Sequence, residues 1–425
     1  MESTAEDRPD EPITAAEDWA SWGRRIALFL VGQNLSLFGS ATVAYAVIWY
    51  ITLKTGSGWQ YASLFIASNL AGALTTIPGG LLADRYSRKA LMIGADLSVA
   101  ACTLVLAIVM LSGYEELWVI ILLLAARGFG GGIQSPSMMA AVPQLVPPDK
   151  LLRINSVNGS AQSLIFIGAP ALAAVLLVYV PLGYIILIDV VTAAIGVTCV
   201  IFVPIPRLTP AAAPEGLRGQ VAHLGEAARY ALAIPALKRV VLLLVVMWVV
   251  VMPPAQMTPV LVVRLFGEEQ WKLAATEILW SGGMVLGGLA LAAWGGFRNR
   301  MTLILLSTAL WGLLTVGIGL SPNIWVYFLV MLVYGLASPG FNVAANTSVQ
   351  ELIPAPLLGR TMGLVQFLMT LAAPLGLAIM GPLADVVDIR ILCVICGAAG
   401  LVFVGCLSVR RGPASQLYAP VRPSP

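Results

Sequence analysis

The stretch Gly80-Leu81-Leu82-Ala83-Asp84-Arg85-Tyr86-Ser87-Arg88-Lys89 separates two long apolar segments of the chain. It concentrates charge, because Asp84, Arg85, Arg88 and Lys89 fall within six residues although only 11% of the 425 residues are charged. A soluble protein has about a quarter charged residues. A charged cluster between two apolar segments therefore indicates a hairpin at a membrane surface, held by ion pairs and helix ends.

Segments long enough to cross a lipid bilayer recur along the whole chain. A spanning helix needs about 20 apolar residues, and 59% of the residues here are hydrophobic, with a mean hydropathy of +0.90. Twelve segments qualify: 26–52, 59–83, 90–112, 117–145, 155–179, 182–205, 239–263, 273–295, 301–320, 324–350, 360–383 and 389–409. They predict an all-α integral membrane protein with twelve transmembrane helices.

The basic residues are distributed unevenly between the two ends of these segments. If residues 1–25 lie in the cytoplasm, eighteen of the 24 lysines and arginines fall on the cytoplasmic side. The opposite loops hold Lys54, Arg264, Lys272 and Arg390. The positive-inside rule then places both termini in the cytoplasm, as an even number of spans requires.

A polar segment at residues 206–238 divides the predicted spans into six and six. The predicted organisation is a disordered cytoplasmic tail at 1–24, a six-helix bundle at 25–205, a cytoplasmic central loop at 206–238, a second six-helix bundle at 239–410 and a cytoplasmic tail at 411–425. Residues 226–230 of the central loop predict an amphipathic helix on the inner membrane face; the alternative is a plain tether.

The two halves of the chain repeat each other. Gln162 precedes Pro170 by eight residues, as Gln366 precedes Pro374, and the two pairs are offset by 204 residues. Ser-Pro occurs at 135–136 and again at 338–339, an offset of 203. Parallel six-helix halves related about the membrane normal are the architecture of transporters with a central site near the bilayer midplane.

The opening stretch resembles the signature loop G-x-L-a-D-r-x-G-R-k of the major facilitator superfamily of secondary transporters, with Ser87 in place of the usual glycine. The resemblance implies a major facilitator fold and a gating role for Gly80, Asp84, Arg85, Arg88 and Lys89. We expect Asp84 to accept hydrogen bonds from the start of the next helix and from Arg88. That latch would hold one gating state closed on the inside.

Arg127 lies near the middle of the fourth span, where a guanidinium costs roughly 2.5–3.5 kcal/mol on insertion scales. It should therefore face a cavity or a partner. The run Arg127 to Gly131 resembles the superfamily's second signature, R-x-x-q-G, with Gly130 in the glutamine position. In proton-coupled members that arginine is linked to proton transfer; the alternative is a structural arginine bonded to carbonyls.

Three acids in the spans are candidates to partner Arg127 or to carry protons: Asp96, Asp189 and Glu277. A carboxylate that alternates between a buried site and a cation can bind and release a proton. We take Asp189 and Glu277 as the best proton carriers. The alternative for Glu277 is that it is an interfacial acid near Lys272. For Asp96 we prefer the alternative of a structural bond to the signature hairpin.

Polar and aromatic residues in other spans are candidates for a substrate surface, with ordinary helix packing as the alternative. They are Gln33, Asn34, Tyr45, Gln162, Trp248, Met252, Asn342 and Gln366. An apolar cavity with aromatic, methionine and amide side chains suits large amphipathic ligands. The sequence indicates no metal site and no cofactor, because its single histidine and five cysteines form no ligand cluster.

Further runs resemble the macrolide-efflux branch of the superfamily, which is related to siderophore exporters. They include Gly32-Gln33-Asn34-Leu35-Ser36-Leu37-Phe38-Gly39-Ser40 and Val142-Pro143-Gln144-Leu145-Val146-Pro147, and the likeness covers about residues 22 to 410. The antiporter mark G-P-x-x-G-G appears only as Ala169-Pro170-Ala171-Leu172-Ala173-Ala174.

The resemblance implies a proton-coupled antiporter in a bacterial inner membrane. Its cargo would be a large amphipathic compound, macrolide-type drugs first, and it would act as a monomer without nucleic acid. Alternatives are an exporter of a siderophore or lysophospholipid, a non-transporting membrane sensor, and an integral-membrane enzyme. No Walker-type phosphate loop occurs, so ATP is not the direct energy source.

Overall fold

A computed structural model describes residues 22–206, 234–295, 300–353 and 355–409, together with 225, 229 and 297. It describes the backbone, but not the side chain, of Asp84 and Gln366. The predictions for the two terminal tails and for most of the central loop, including the amphipathic helix at 226–230, lie outside the described residues.

Twelve membrane-spanning helices make up nearly all of the described chain, which contains no strand. Eleven are continuous: α1 (Trp22–Thr55), α2 (Gly58–Arg85), α3 (Arg88–Leu111), α4 (Leu117–Leu145), α5 (Leu151–Tyr179), α6 (Leu182–Phe202), α8 (Gln270–Trp294), α9 (Arg300–Leu320), α10 (Ile324–Leu352), α11 (Ala355–Val386) and α12 (Ile389–Val409). The prediction of twelve transmembrane helices is confirmed.

The seventh span, α7, is broken into segments instead of forming the continuous helix expected at 239–263. It consists of α-helix at Pro235–Val246, π-helix at Met247–Val251, and short helices at Met252–Gln256 and Thr258–Phe266. Pro253 and Pro254 have no N–H to donate four residues back, so the ordinary α-helical ladder cannot continue across them. The chain widens to a π turn at this point, where Met252 N–H bonds to Met247 C=O.

The helices pack in the same way within the two halves of the chain, α1–α6 and α7–α12. The pair α2 and α4 corresponds to α8 and α10, and the pair α3 and α6 corresponds to α9 and α12. Glycines permit the closest pairings: a Cβ added to Gly128 would lie 2.3 Å from Ser68 O, and one added to Gly335 would lie 2.0 Å from Trp280 O. Both halves therefore use small residues to bring two backbones together.

The halves meet along the pairs α2–α11 and α5–α8, with a smaller contact between α1 and the end of α7. We call the membrane face where α1 begins the terminal face, and the face where α1 ends and α2 begins the distal face. Backbones approach closely at the distal end of α2, where a Cβ on Gly58 would lie 2.6 Å from Gly381 O on α11. Beside this contact, the Tyr61 hydroxyl donates to Gln256 O of α7 at 2.6 Å.

Candidate functional site

A buried ion pair joins Arg127 of α4 to Asp189 of α6. Nη2 of Arg127 lies 2.8 Å from Oδ2 of Asp189, and the side chains are 6% and 0% exposed. Oδ1 of Asp189 also accepts from the Ser40 hydroxyl of α1 at 2.6 Å, and Oδ2 accepts from the Thr103 hydroxyl of α3 at 2.8 Å. Four helices of the first half thus supply one neutralised charge site.

Arg127 is not fully satisfied by this site. Its Nη2 also donates to the Ser40 carbonyl at 3.3 Å. Its Nη1 is buried and has no hydrogen-bond partner among the described residues. A buried guanidinium N–H without an acceptor is a donor that a water or a polar ligand atom can use.

Asp96 of α3 forms a second buried polar site. Its carboxylate accepts from Gln134 Nε2 of α4 at 2.5 Å, from Gln33 Nε2 of α1 at 3.3 Å and from the Ser36 hydroxyl at 3.4 Å. Gln134 also donates to Gln33 Oε1 at 3.2 Å, which fixes both amides. Asp96 is 2% exposed, and the donors to it among the described residues are neutral amides and a hydroxyl.

The two sites are stacked inside the first half. Both sites use α1, α3 and α4, at positions seven residues apart: Gln33 and Ser40 on α1, Asp96 and Thr103 on α3, and Gln134 and Arg127 on α4. Seven residues of α-helix rise about 10 Å. The polar side chains therefore form a two-layer column, with Asp96 toward the terminal face and Asp189 toward the distal face.

Glu277 of α8 lies apart from this column, in the second half. It is half-buried, and its carboxylate has no hydrogen bond or ion pair with any described residue. The alternative partner considered from sequence, Lys272, bonds instead to Phe266 O and to Glu269 Oε2, the latter at 2.6 Å.

Tyrosines from both halves interact electrostatically with the Glu277 carboxylate. They are Tyr45 of α1, Tyr61 of α2 and Tyr327 of α10. The hydroxyls of Tyr61 and Tyr327 are occupied, bonding to Gln256 O at 2.6 Å and to Thr258 Oγ1 at 3.0 Å. Glu277 is thus the acid placed where the two halves meet.

Two cations of the signature hairpin, Arg88 and Lys89, bond to backbone carbonyls of the first half. Arg88 donates to Ala140 O of α4 at 2.5 Å and to Ala83 O at 3.3 Å. Lys89 donates to the end of α6, to Ile201 O at 2.6 Å and Val203 O at 3.0 Å. The bonds to Ala83, Ile201 and Val203 satisfy carbonyls that the ends of α2 and α6 leave free.

The remaining hairpin residues have different surroundings. Ser87, which replaces the usual glycine, is the N-cap of α3 and accepts from Ala90 N at 3.4 Å. Arg85 is exposed in the last turn of α2, and an added Cβ on Gly80 would meet nothing within 4 Å. The bonds predicted for Asp84 involve a side chain outside the described part of the structure.

Among the predicted substrate contacts of the first half, Gln33 and Asn34 form hydrogen bonds within the protein. Gln33 belongs to the Asp96 site and is 2% exposed. Asn34 donates to Leu30 O at 2.8 Å and to Asn158 Oδ1 of α5 at 2.9 Å. Tyr45 and Gln162 are half-buried, and Tyr45 packs edge-on against Trp49 with the ring centres 5.6 Å apart.

The predicted contacts of the second half gather around the broken span. Trp248 lies in the π segment and Met252 follows it, so both lie where α7 departs from regular geometry. The backbone here faces α11, since a Cβ on Gly376 would lie 2.7 Å from Val249 O. Asn342 of α10 is half-buried and donates to Ser338 O at 3.2 Å. The Gln366 side chain lies outside the described part.

Sequence reasoning missed Gln134, Ser40 and Thr103, which hold the two buried carboxylates. A signal was available, because each lies seven residues from a residue that had been singled out: Arg127, Gln33 and Asp96 respectively. Of the three candidate acids, the structure brings Asp189 to Arg127 and gives Asp96 amide and hydroxyl partners in place of the hairpin. Glu277 has no hydrogen bond or ion pair in the part of the chain that the structure describes.

Comparison with known proteins identifies relatives along nearly the whole chain. Residues 29–377 match the family model of the Major Facilitator Superfamily. Macrolide efflux protein A of Streptococcus pyogenes is 30% identical over 379 residues, covering 88% of this chain and 93% of that protein. Multidrug efflux pump Tap of Mycobacterium bovis is 25% identical, covering 84% of this chain and 86% of that protein.

The fold is also similar to that of solved transporter structures. A POT family transporter crystallised with 5-aminolevulinic acid superposes with a TM-score of 0.74, covering 93% of this chain and 97% of that one at 13% identity. At that identity the likeness concerns the fold alone. Together with the twelve spans and the paired halves, the family match shows that this chain is a multi-pass membrane transporter, not an enzyme, and that it belongs to the major facilitator superfamily.

Proposed function

We propose that the chain exports large amphipathic compounds, macrolide-type drugs first, by proton-coupled alternating access. The cargo is suggested by the similarity to Macrolide efflux protein A over 88% of the chain, and a broader range by the similarity to pump Tap. The observation that carries the coupling is the Glu277 carboxylate, which has no hydrogen bond or ion pair among the described residues and lies on α8, one of the helices along which the halves meet.

Glu277 is suited to take up a proton because doing so breaks no bond within the described protein. Asp189 has a different role in this scheme: protonating it would leave the Arg127 guanidinium buried without its counter-ion, which is costly. Proton uptake by Asp189 therefore requires another acceptor for the Arg127 guanidinium. The Nη1 group of Arg127 already lacks an acceptor among the described residues. Asp96, which accepts hydrogen bonds from Gln33, Ser36 and Gln134, is the third acid that we propose to take part in proton coupling, after Glu277 and Asp189.

We place the terminal face in the cytoplasm of the bacterial inner membrane. The cations of the signature hairpin and both chain ends then lie inside, as the positive-inside rule requires. A proton entering down the membrane potential supplies about 2.3 kcal/mol per 100 mV. One or two protons per cycle can therefore sustain a useful cargo gradient, with the transporter acting as a monomer.

The proposed cargo surface lies between the two halves. It is formed by Tyr45 and Gln162 from the first half and by Trp248, Met252, Asn342 and Gln366 from the second. The π segment supports this placement because π turns occur frequently at functional sites. Asn34 extends the surface beside α5, whereas Gln33 acts through Asp96. The hairpin residues Gly80, Asp84, Arg85, Arg88 and Lys89 gate the terminal face.

The test is accumulation of a radiolabelled macrolide in a pump-deficient bacterium that expresses the chain, with and without a protonophore. We expect lower accumulation than in cells without the chain, and its restoration by the protonophore. Glu277→Gln should abolish the protonophore-sensitive part, whereas the exposed control Glu268→Gln should retain it. Equal accumulation with the protein present in the membrane would exclude macrolides, and siderophores and lysophospholipids would then be tested.

Retained proton-driven efflux in the Glu277→Gln variant would overturn the assignment of the carrier. The same assay with Asp189→Asn and with Asp96→Asn then shows which acid of the column replaces it. Protein abundance in the membrane is measured for each variant, so that loss of transport is separated from loss of the folded chain.

A further inference from the structure

The distal ends of the two halves are joined by a compact polar contact. Asp385, near the end of α11, accepts from the backbone amides of Gly58 at 2.7 Å and Trp59 at 2.9 Å. It also accepts from the Ser57 hydroxyl at 2.9 Å. A carboxylate of the second half thus caps the N-terminus of α2, a helix of the first half.

Arg264, in the last segment of α7, completes this contact. Its Nε donates to Gly56 O of the first half at 2.7 Å. Its two other nitrogens donate to Ala384 O and to the Asp385 carboxylate. We call Arg264, Asp385 and residues 56–59 the distal latch. Four hydrogen bonds of the latch cross from one half to the other.

The chemistry of the latch explains why it favours the closed arrangement. The anion lies at the positive end of a helix and also beside a guanidinium, and both interactions are stronger than bonds between neutral groups. The Arg264 and Asp385 side chains remain 29% and 28% exposed. The bonds can therefore be exchanged for water when the halves separate, which a deeply buried pair could not do at similar cost.

The N-terminus of α2 also has a cap within the first half. Ser57 is also the N-cap of α2 within its own half, since its hydroxyl oxygen accepts from Gln60 N at 3.3 Å. This bond does not depend on Asp385, so α2 keeps a cap after the latch opens. The contact is asymmetric as well: at the 204-residue offset between the halves, Asp385 corresponds to Pro181, which has no carboxylate.

We propose that the distal latch holds the distal face closed and that its release is part of each opening of that face. The proposal rests on the alternating access proposed above, but not on the identity of the cargo or on proton coupling. The same latch sets the balance between the two states, because every bond that crosses it is lost when α2 moves away from α11.

The experiment measures access to the closed contact directly. Ala62 of α2 is 1% exposed and lies beside Gly381 of α11, so Ala62→Cys is shielded while the latch is closed. The purified chain in lipid nanodiscs is labelled with a membrane-impermeant maleimide, and the rate is corrected for the chain that retains Ala62. We expect Asp385→Asn to raise the labelling rate at position 62 about tenfold, because charge-assisted bonds are the strong ones of the contact.

A matched control lies three residues further along the chain. Asp388 caps α12 through the amide of Arg390 at 2.8 Å and makes no contact with α2 among the described residues. Asp388→Asn should leave the labelling rate unchanged. Arg264→Gln tests the same latch from α7 and should act in the same direction as Asp385→Asn, which guards against poor folding of one variant.

An unchanged rate in both Asp385→Asn and Arg264→Gln, or an equal rise in Asp388→Asn, would overturn the latch. Melting temperatures of all variants are compared, since a rise in labelling that follows a general loss of stability also counts against it. Because labelling requires no cargo, a failure here is distinct from a failure to export macrolides.

Discussion

The Arg127 guanidinium lies 2.8 Å from the Asp189 carboxylate, in a site where neither side chain has more than 6% of its surface exposed. Removing one partner of such a pair leaves a buried charge without compensation, at a cost of about 3–5 kcal/mol. We expect Arg127→Gln and Asp189→Asn each to lower the melting temperature markedly in detergent. The double variant should lose less than the sum, because it leaves no net charge. Additive losses would show that the pair does not act as a unit.

Asp96 should be sensitive even to its isosteric amide. Both of its oxygens accept hydrogen bonds, so Asp96→Asn would direct an NH2 group at a donor, and rotating Gln33 to compensate would break its bond with Gln134. We expect Asp96→Asn to destabilise the protein by about 1–3 kcal/mol, measured by tryptophan fluorescence on heating. The control is Asp149→Asn in an exposed pair with Lys150, which should change little.

The close pairing of α2 and α4 offers a matched test of packing. A Cβ on Gly128 would lie 2.3 Å from the Ser68 carbonyl, whereas one on Gly131, three residues later, would meet nothing within 4 Å. Gly128→Ala must therefore push the two backbones apart and should cost about 1–3 kcal/mol. Gly131→Ala should be neutral or slightly stabilising. Similar melting temperatures for the two variants would contradict the packing described here.

One loop acid gives a prediction of pH dependence. Glu115, between α3 and α4, accepts from Lys54 and from the Tyr50 hydroxyl, the latter at 2.8 Å. The hydrogen bond from Lys54 is the main reason why the pKa of Glu115 lies below its ordinary value of 4.5. A lowered pKa in the folded state stabilises it above the ordinary pKa, and this stabilisation is lost as the pH falls through the folded value.

The corresponding measurement compares wild type with Glu115→Gln across pH. The difference in melting temperature should be constant from about pH 8 to about pH 5 and should shrink below pH 4.5. The neighbouring Glu116 starts α4 without a side-chain capping bond. Glu116→Gln is therefore the control, and a difference of the same size and pH dependence in that variant would refute the role of the Lys54 contact.

The spans and the hairpin could be predicted because they depend on local composition. Twenty apolar residues specify a helix in lipid wherever they occur, since the backbone must bond within itself there. The break in α7 is also local in origin, because Pro253 and Pro254 lack backbone N–H groups, but the mean hydropathy of residues 239–263 predicts a span and not a break within it. Hydropathy registers the side chains and not the missing backbone N–H groups.

The partners of the buried acids could be predicted only in part. Arg127 needed an acid inside the membrane, which left three candidates, but the choice of Asp189 depends on how α4 and α6 are rotated about their axes. The same holds for Gln134 and Asp96. The sequence places Arg264 in an outer loop and indicates no role for Asp385. The two residues lie 121 positions apart, and only the packing of the helices brings them together.

The capping of α2 by Asp385 has a consequence for how this contact can vary among sequences. Two of its donors, at Gly58 and Trp59, are backbone amides that almost any residue supplies. These two bonds therefore require the acid and place no demand on side-chain chemistry at positions 58 and 59, where Gly58 is limited instead by the close approach of Gly381. A search for co-varying side-chain pairs would miss these two bonds, because a backbone N–H donor does not depend on which side chain its residue carries.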